Sequence, residues 1–225
     1  EGMTGRLEAT DQFSPSSKPN TRFGMQISTT GHGGCDHLAQ GSGALCGADT
    51  KKWAGSGGVM LRYNVSFSGL KGIRFDLAAH SDKDPFDLYS DDNASEWGDY
   101  LRVSSLIGGV RTLLAEFTGV ATTERTAETA FALFSTDAGS GLGKGIIADK
   151  TFDTVHIAGL GPEHKGYGEL LFEIKSTGSA EQIGIDNIRL VPVPLPSSFY
   201  LTMFSVIMFW RMGNTGRLVS TMGRS

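Results

Sequence analysis

The run Val59-Met60-Leu61-Arg62-Tyr63-Asn64-Val65-Ser66-Phe67 decides the fold class. Val59, Leu61, Tyr63, Val65 and Phe67 are apolar on alternate positions, with Arg62, Asn64 and Ser66 between them. A period of two marks a strand that buries one face. Ser68-Gly69 breaks the run, and Ile73, Phe75 and Leu77 then alternate with Arg74 and Asp76 in a second strand. Downstream, Gly108-Gly109 separates the apolar runs Tyr100–Ile107 and Val110–Phe117. A Gly-Gly pair in that position predicts an antiparallel hairpin, because tight hairpin turns need positive φ at their central residues.

Further strands are expected at Arg22–Ser28, Phe131–Phe134, Thr151–Ala158, Glu169–Lys175 and Gln182–Val191. In the last of these, Ile183, Ile185 and Asn187 are read on one face and Asp186, Ile188 and Leu190 on the other. A strand apolar on both faces suits a central position in a packed sheet. Residues 1–57, rich in Gly, Ser and Thr, read as loop-dominated, Thr118–Glu128 as a loop with one helical turn, and Asp137–Gly145 as a glycine-rich loop. That loop fails as a phosphate-binding loop, since Gly145 follows Lys144 where Ser or Thr is required. Eight or nine strands joined by turns predict an all-β, antiparallel β-sandwich, jelly-roll-like, with a C-terminal hydrophobic helix. Composition agrees: 31 glycines in 225 residues with 20% charged side chains leave no long helical runs. The expected organisation is a sandwich over residues 1–190, a proline-rich spacer at 191–196 and a C-terminal segment at 197–225.

The formal net charge is −4, and Arg211, Arg217 and Arg224 in a tail without acids leave −7 on residues 1–195. An acidic body repels phosphate backbones, which excludes nucleic acid as the expected partner. Cys35 and Cys46 enclose ten residues. A disulfide there would stabilise the fold by about 2–3 kcal/mol and would persist only in an oxidising compartment. Free thiols and a zinc site with His32 and His37 are the alternatives, although the spacing matches no standard zinc pattern.

The acidic loop from His80 to Gly98 is the foremost ligand candidate. Asp82, Asp84, Asp91 and Asp92 could supply oxygen ligands to Ca²⁺, a hard cation that takes six to eight, although the spacing is not that of an EF-hand. A solvated loop of turn-forming Asp and Asn residues is the plainer reading. Trp97, with Glu96, Asp99 and Tyr89 nearby, could stack on a sugar ring and read its hydroxyls, whereas aromatics in a β protein more often fill the core. His156, His164 and Tyr167, with Glu163, are the residues on which a lyase or hydrolase would have to draw. His156 falls in an apolar strand and Glu163–Gly168 reads as a turn, so no catalytic residue is assigned.

The tail carries the reading of location. Val191-Pro192-Val193-Pro194-Leu195-Pro196 is a stiff extended spacer, since each proline fixes φ and donates no hydrogen bond. Ser197–Trp210 follows without a charge and stops at Arg211. As a helix it would extend about 21 Å, short of the roughly 30 Å hydrocarbon core, and a buried C-terminal helix is the alternative. This order of elements resembles the PEP-CTERM sorting signal of exported bacterial proteins, in a variant whose motif is Val193, Pro194, Leu195 and Pro196 and whose basic stop is Arg211. The family usually ends soon after a tight arginine cluster, whereas this chain has spaced arginines and continues to Ser225.

The resemblance implies an exported protein of a Gram-negative-type bacterium, held transiently at the inner membrane, processed by an exosortase-type enzyme, then released to the cell surface or extracellular matrix. The positive-inside rule places Arg211 and Arg217 in the cytoplasm. Trp97-Gly98-Asp99-Tyr100-Leu101-Arg102-Val103 and Ile183-Gly184-Ile185-Asp186-Asn187-Ile188-Arg189-Leu190 resemble the jelly-roll, galactose-binding-like domains of surface proteins. The expected function is non-catalytic, at the surface or in the matrix. The alternative is a carbohydrate-binding module for an extracellular polysaccharide, with Ca²⁺ as a structural aid, and a polysaccharide-cleaving enzyme ranks behind both.

Overall fold

The computed structural model describes residues 4–8, 23–25, 45–48, 59–81, 83–88, 98–127, 129–136, 142, 144–160, 164–178 and 180–193. The chain divides into two units, Glu1–Pro192 and Val193–Ser225, and of the second only Val193 is described. Ser197–Trp210, Pro194–Pro196 and Arg211 therefore lie outside the described residues.

The described residues form twelve strands: β1 (Thr4–Glu8), β2 (Phe23–Met25), β3 (Leu45–Ala48), β4 (Val59–Ser66), β5 (Leu70–Ser81), β6 (Tyr100–Ile107), β7 (Val110–Thr118), β8 (Leu133–Ser135), β9 (Ile147–Ala148), β10 (Asp153–Ala158), β11 (Tyr167–Lys175) and β12 (Glu181–Pro192). All pair antiparallel, in a seven-stranded sheet of order β1-β4-β11-β6-β7-β8-β9 and a five-stranded sheet of order β10-β5-β12-β3-β2. The pairs β3 with β12, β4 with β11, β5 with β10 and β6 with β7 are nested one inside the next along the chain. The twelve exceed the eight or nine expected. The surplus is β1, β3 and the two-residue β9, which are too short or too glycine-rich to carry a readable period.

The two sheets share one core. Val59, Leu61, Val65, Leu101, Val103, Leu170, Phe172 and Ile174 of the larger sheet bury with Ile73, Phe75, Leu77, Val155, Ile157, Ile183 and Ile185 of the smaller. Phe172 meets Phe75 across the gap edge to face, with centroids 5.2 Å apart, and Tyr63 within its own sheet at 6.2 Å. The alternation seen in Val59–Phe67 is thus the inner face of β4. At the β6–β7 turn, Gly108 and Gly109 take φ of 58° and 84°, the pair of positive angles that a tight hairpin demands and a side chain resists.

The reading of β12 as apolar on both faces is corrected. Between Asp186 and Arg189 the register against β5 slips by one residue, and Asn187 sits at φ 50°, held by a 2.7 Å bond from its amide to Asp76. A bulge inverts the alternation beyond it. Ile188 and Leu190 therefore join Ile183 and Ile185 against the core, rather than facing the opposite way. The strand also takes in Val191 and Pro192, opposite Gly72 and Leu70, so the sheet runs two residues into the expected spacer. Proline is tolerated there because a strand end can forgo a donor.

Candidate functional site

β5 ends at Ser81 and β6 begins at Tyr100, and the connection between them carries the candidate ligand residues. Phe86 is its anchor: the ring is fully buried in the core, and its N–H donates to the Ala130 carbonyl at 3.1 Å. Gly119 lies so close that a β-carbon there would stand 2.3 Å from the Phe86 carbonyl oxygen, so no other residue fits. Arg125, just after the 3₁₀ turn Thr122–Glu124, donates to the Phe86 carbonyl at 2.8 Å and to the Asp87 carboxylate at 3.1 Å.

The loop is then closed on itself. The Asp87 N–H donates to Asp99 Oδ2 at 2.6 Å, and the Asp99 N–H donates to the Asp87 carbonyl at 3.1 Å. Residues 88–98 are thereby clasped between two reciprocally bonded aspartates. Loop ends pinned by a rigid scaffold are a common setting for recognition.

Asp99 is also the centre of a second knot. The Thr177 N–H points between two carboxyl groups, 2.7 Å from Asp99 Oδ1 and 2.9 Å from Glu181 Oε2, and the Thr177 hydroxyl donates to Asp99 at 3.0 Å. Glu181 also accepts from the Gly178 N–H. Asp99 is 0% and Glu181 2% exposed. Two carboxyl groups this close and this buried cannot both ionise. Burial, then the Asp99 charge, pushes Glu181 up to about 8. Burial raises Asp99 to about 6, although hydrogen bonds from Asp87, Glu181 and Thr177 oppose the rise. The pair therefore retains one proton between them at a pH where separate, solvated carboxyls would both be ionised.

Asp99, expected from the sequence as a sugar contact, sits inside this network. It has no exposed face, because its oxygens are spent on the loop clasp and on Thr177. Asp84 is exposed, and its carbonyl accepts from the Ser81 hydroxyl. Trp97, Glu96, Tyr89, Asp82, Asp91 and Asp92 lie outside the described residues. Cys46 sits on β3 opposite Gly184 and Gly24, and Cys35 lies outside the described residues.

Glu181, Thr177, Arg125 and Phe86 were not legible as site residues. Nothing local joins Thr177 to Asp99, 78 positions away, and the only hint was an acid directly after the turn-forming Ser176–Ala180 stretch.

The other polar concentration lies on the face of the larger sheet turned away from the core. There Arg62 pairs with Glu169 at 3.0 Å, Arg102 with Glu116 at 2.6 Å and Arg111 with Glu173 at 2.6 Å, while the Tyr100 hydroxyl donates to Glu173 at 2.8 Å beneath the Arg102 guanidinium. Burial works to raise Glu173, but bonds from Arg111 and Tyr100 and the charges of Arg111 and Arg102 outweigh it and hold the carboxyl below its usual range. A carboxylate kept ionised in this way is poorly suited to proton donation. His156 is half-buried on β10 of the smaller sheet, His164 is buried, and Tyr167 on β11 is 87% exposed.

No family model matches the chain, and no curated protein matches it. Among solved structures, the chain is similar to the carbohydrate-binding module TmCBM61 in complex with beta-1,4-galactotriose, at 11% identity and a TM-score of 0.36, over 84% of this chain and 88% of that one. It is also similar to a glycoside hydrolase family 43 arabinoxylan arabinofuranohydrolase from Bacillus subtilis in complex with cellotetraose, at 12% identity and a TM-score of 0.34. That match covers 76% of this chain, which spans about a quarter, 24%, of the hydrolase chain.

Proposed function

We propose that this chain is an exported, non-catalytic cell-surface or extracellular-matrix protein whose sandwich presents the loop between Asp87 and Asp99 as its binding element. The observation that carries the reading is the reciprocal Asp87–Asp99 clasp, which fixes both ends of an eleven-residue loop to the scaffold and spends the buried Asp99 carboxylate on doing so. The nested pairing of β3 to β12 supports a jelly-roll topology. The tail supports export: β12 ends at Pro192, and the motif Val193-Pro194-Leu195-Pro196 begins on the next residue. A helix over Ser197–Trp210 anchors the precursor until an exosortase-type enzyme acts. Intact mass in membrane and extracellular fractions tests this reading. The expected pair is a full-length membrane form and an extracellular form truncated near Pro196, with the Cys35–Cys46 bond reducible in both. A single full-length cytosolic species with free thiols overturns it.

The ligand class proposed for this loop is an extracellular polysaccharide, stacked on Trp97 and read by Glu96 and Tyr89, with Ca²⁺ on Asp82, Asp84, Asp91 and Asp92 as a structural aid. Trp97→Ala is expected to weaken retention on a polysaccharide gel at least tenfold while leaving the melting temperature unchanged, since the aromatic stack is lost and the clasp remains. Retention equal to the parent protein would remove the loop from the site, and time-dependent shortening of the glycan would make the protein an enzyme.

A further inference from the structure

The two ends of the sandwich differ in character. The end opposite the clasped loop gathers the β4–β5 turn, the β6–β7 turn, the start of β11 and the finish of β12. Their registers bring them together: Tyr167 pairs with Ser66, Gly168 with Ile107, Ile107 with Val110, and Pro192 with Leu70. Two backbone bonds tie the loops into one surface, from Phe67 N–H to the Gly166 carbonyl at 2.8 Å and from Gly159 N–H to the Lys71 carbonyl at 3.1 Å. On this surface Tyr167 is 87% exposed and Val110 67%.

The charges there are basic although the body as a whole is acidic. Lys71, Arg111, Lys165 and Arg189 are exposed at or near the surface. Of these, Arg111 is paired with Glu173, and the described acid at this end, Glu169, is paired with Arg62. Val193 is where the chain leaves the last strand, four residues before the uncharged run Ser197–Trp210.

We infer that this end of the sandwich rests on an anionic lipid bilayer, with Tyr167 and Val110 in the headgroup layer and Lys71, Lys165 and Arg189 against lipid phosphates. An exposed tyrosine flanked by basic residues matches what the membrane interface favours, and the attraction of basic side chains to an anionic surface acts only within about a Debye length, near 8 Å. The Asp87–Asp99 clasp, at the other end of the sandwich, then faces away from the membrane. The inference rests on the anchored form proposed above, and it adds that the body itself docks rather than swinging free on its spacer.

The test uses the full chain incorporated into vesicles of phosphatidylcholine, with or without phosphatidylglycerol, and reads amide hydrogen exchange. Peptides covering residues 106–111 and 158–168 are expected to exchange at least fivefold more slowly in the anionic vesicles, while residues 83–88 are unchanged. The double variant Val110→Ser with Tyr167→Ser, both exposed and remote from the core, restores fast exchange. Equal exchange in the two vesicle types, with the chain still sedimenting with them, overturns the docking and leaves the anchor intact. A chain that does not sediment with either vesicle overturns both.

Discussion

Replacing Glu181 by Gln is expected to flatten the fall of stability with pH between about 5 and 8. Glu181 and Asp99 both have folded values raised above those of the unfolded chain, so the stability they contribute is fully present below pH 4 and is lost as pH rises through their folded values, first near 6 and then near 8. At pH 9 the native state must either keep a proton on Glu181 or hold two charges beside Thr177 in a site closed to water. The cost over the whole window is on the order of a few kcal/mol. Gln keeps an oxygen for the Gly178 and Thr177 N–H groups and an N–H for Asp99, but cannot ionise. The variant should equal or slightly trail the parent at pH 5 and exceed it at pH 9, as read from urea midpoints at pH 5, 7 and 9. Parallel curves for the two proteins from pH 5 to 8 would show that the pair does not share a proton.

The second large effect is expected from Phe172→Ala, which removes the ring at the centre of β11. Phe172 is fully buried and makes edge-to-face contacts with Phe75 in the opposite sheet and Tyr63 in its own. Truncation loses the transfer energy of the ring, leaves a cavity between the sheets and breaks both aromatic contacts, for a total of about 3–5 kcal/mol. Against a typical domain stability of about 5–15 kcal/mol this is a severe loss. Phe172→Leu, which keeps most of the volume, should cost markedly less. Chemical denaturation of the three proteins measures it, and a loss below about 1 kcal/mol for the alanine variant would mean that the sheets are not packed through this ring.

The two variants probe different kinds of information. Phe172 and its neighbours Leu170 and Ile174 were legible as a buried strand face, because alternation is a local property that burial on one side imposes directly. The Gly108-Gly109 turn was legible for the same reason: backbone sterics act over two residues. The burial of Asp99 was not legible, because its neighbours in sequence, Trp97 and Gly98 on an acidic loop, suggest a surface, whereas its partners Thr177 and Glu181 come from the far end of the chain.

The amino-acid sequence alone determined that the described body is all-β and antiparallel, where most of its longer strands run, and where an apolar tail follows a proline-rich stretch, because side-chain period, turn sterics and runs of uncharged residues are readable in short windows. Only the tertiary structure decided the nested pairing of the strands, the bulge at Asn187 that turns Ile188 and Leu190 back to the core, and the burial of Asp99 against Glu181. Those features depend on groups brought together across many tens of residues, where packing and desolvation, rather than local preference, set the outcome.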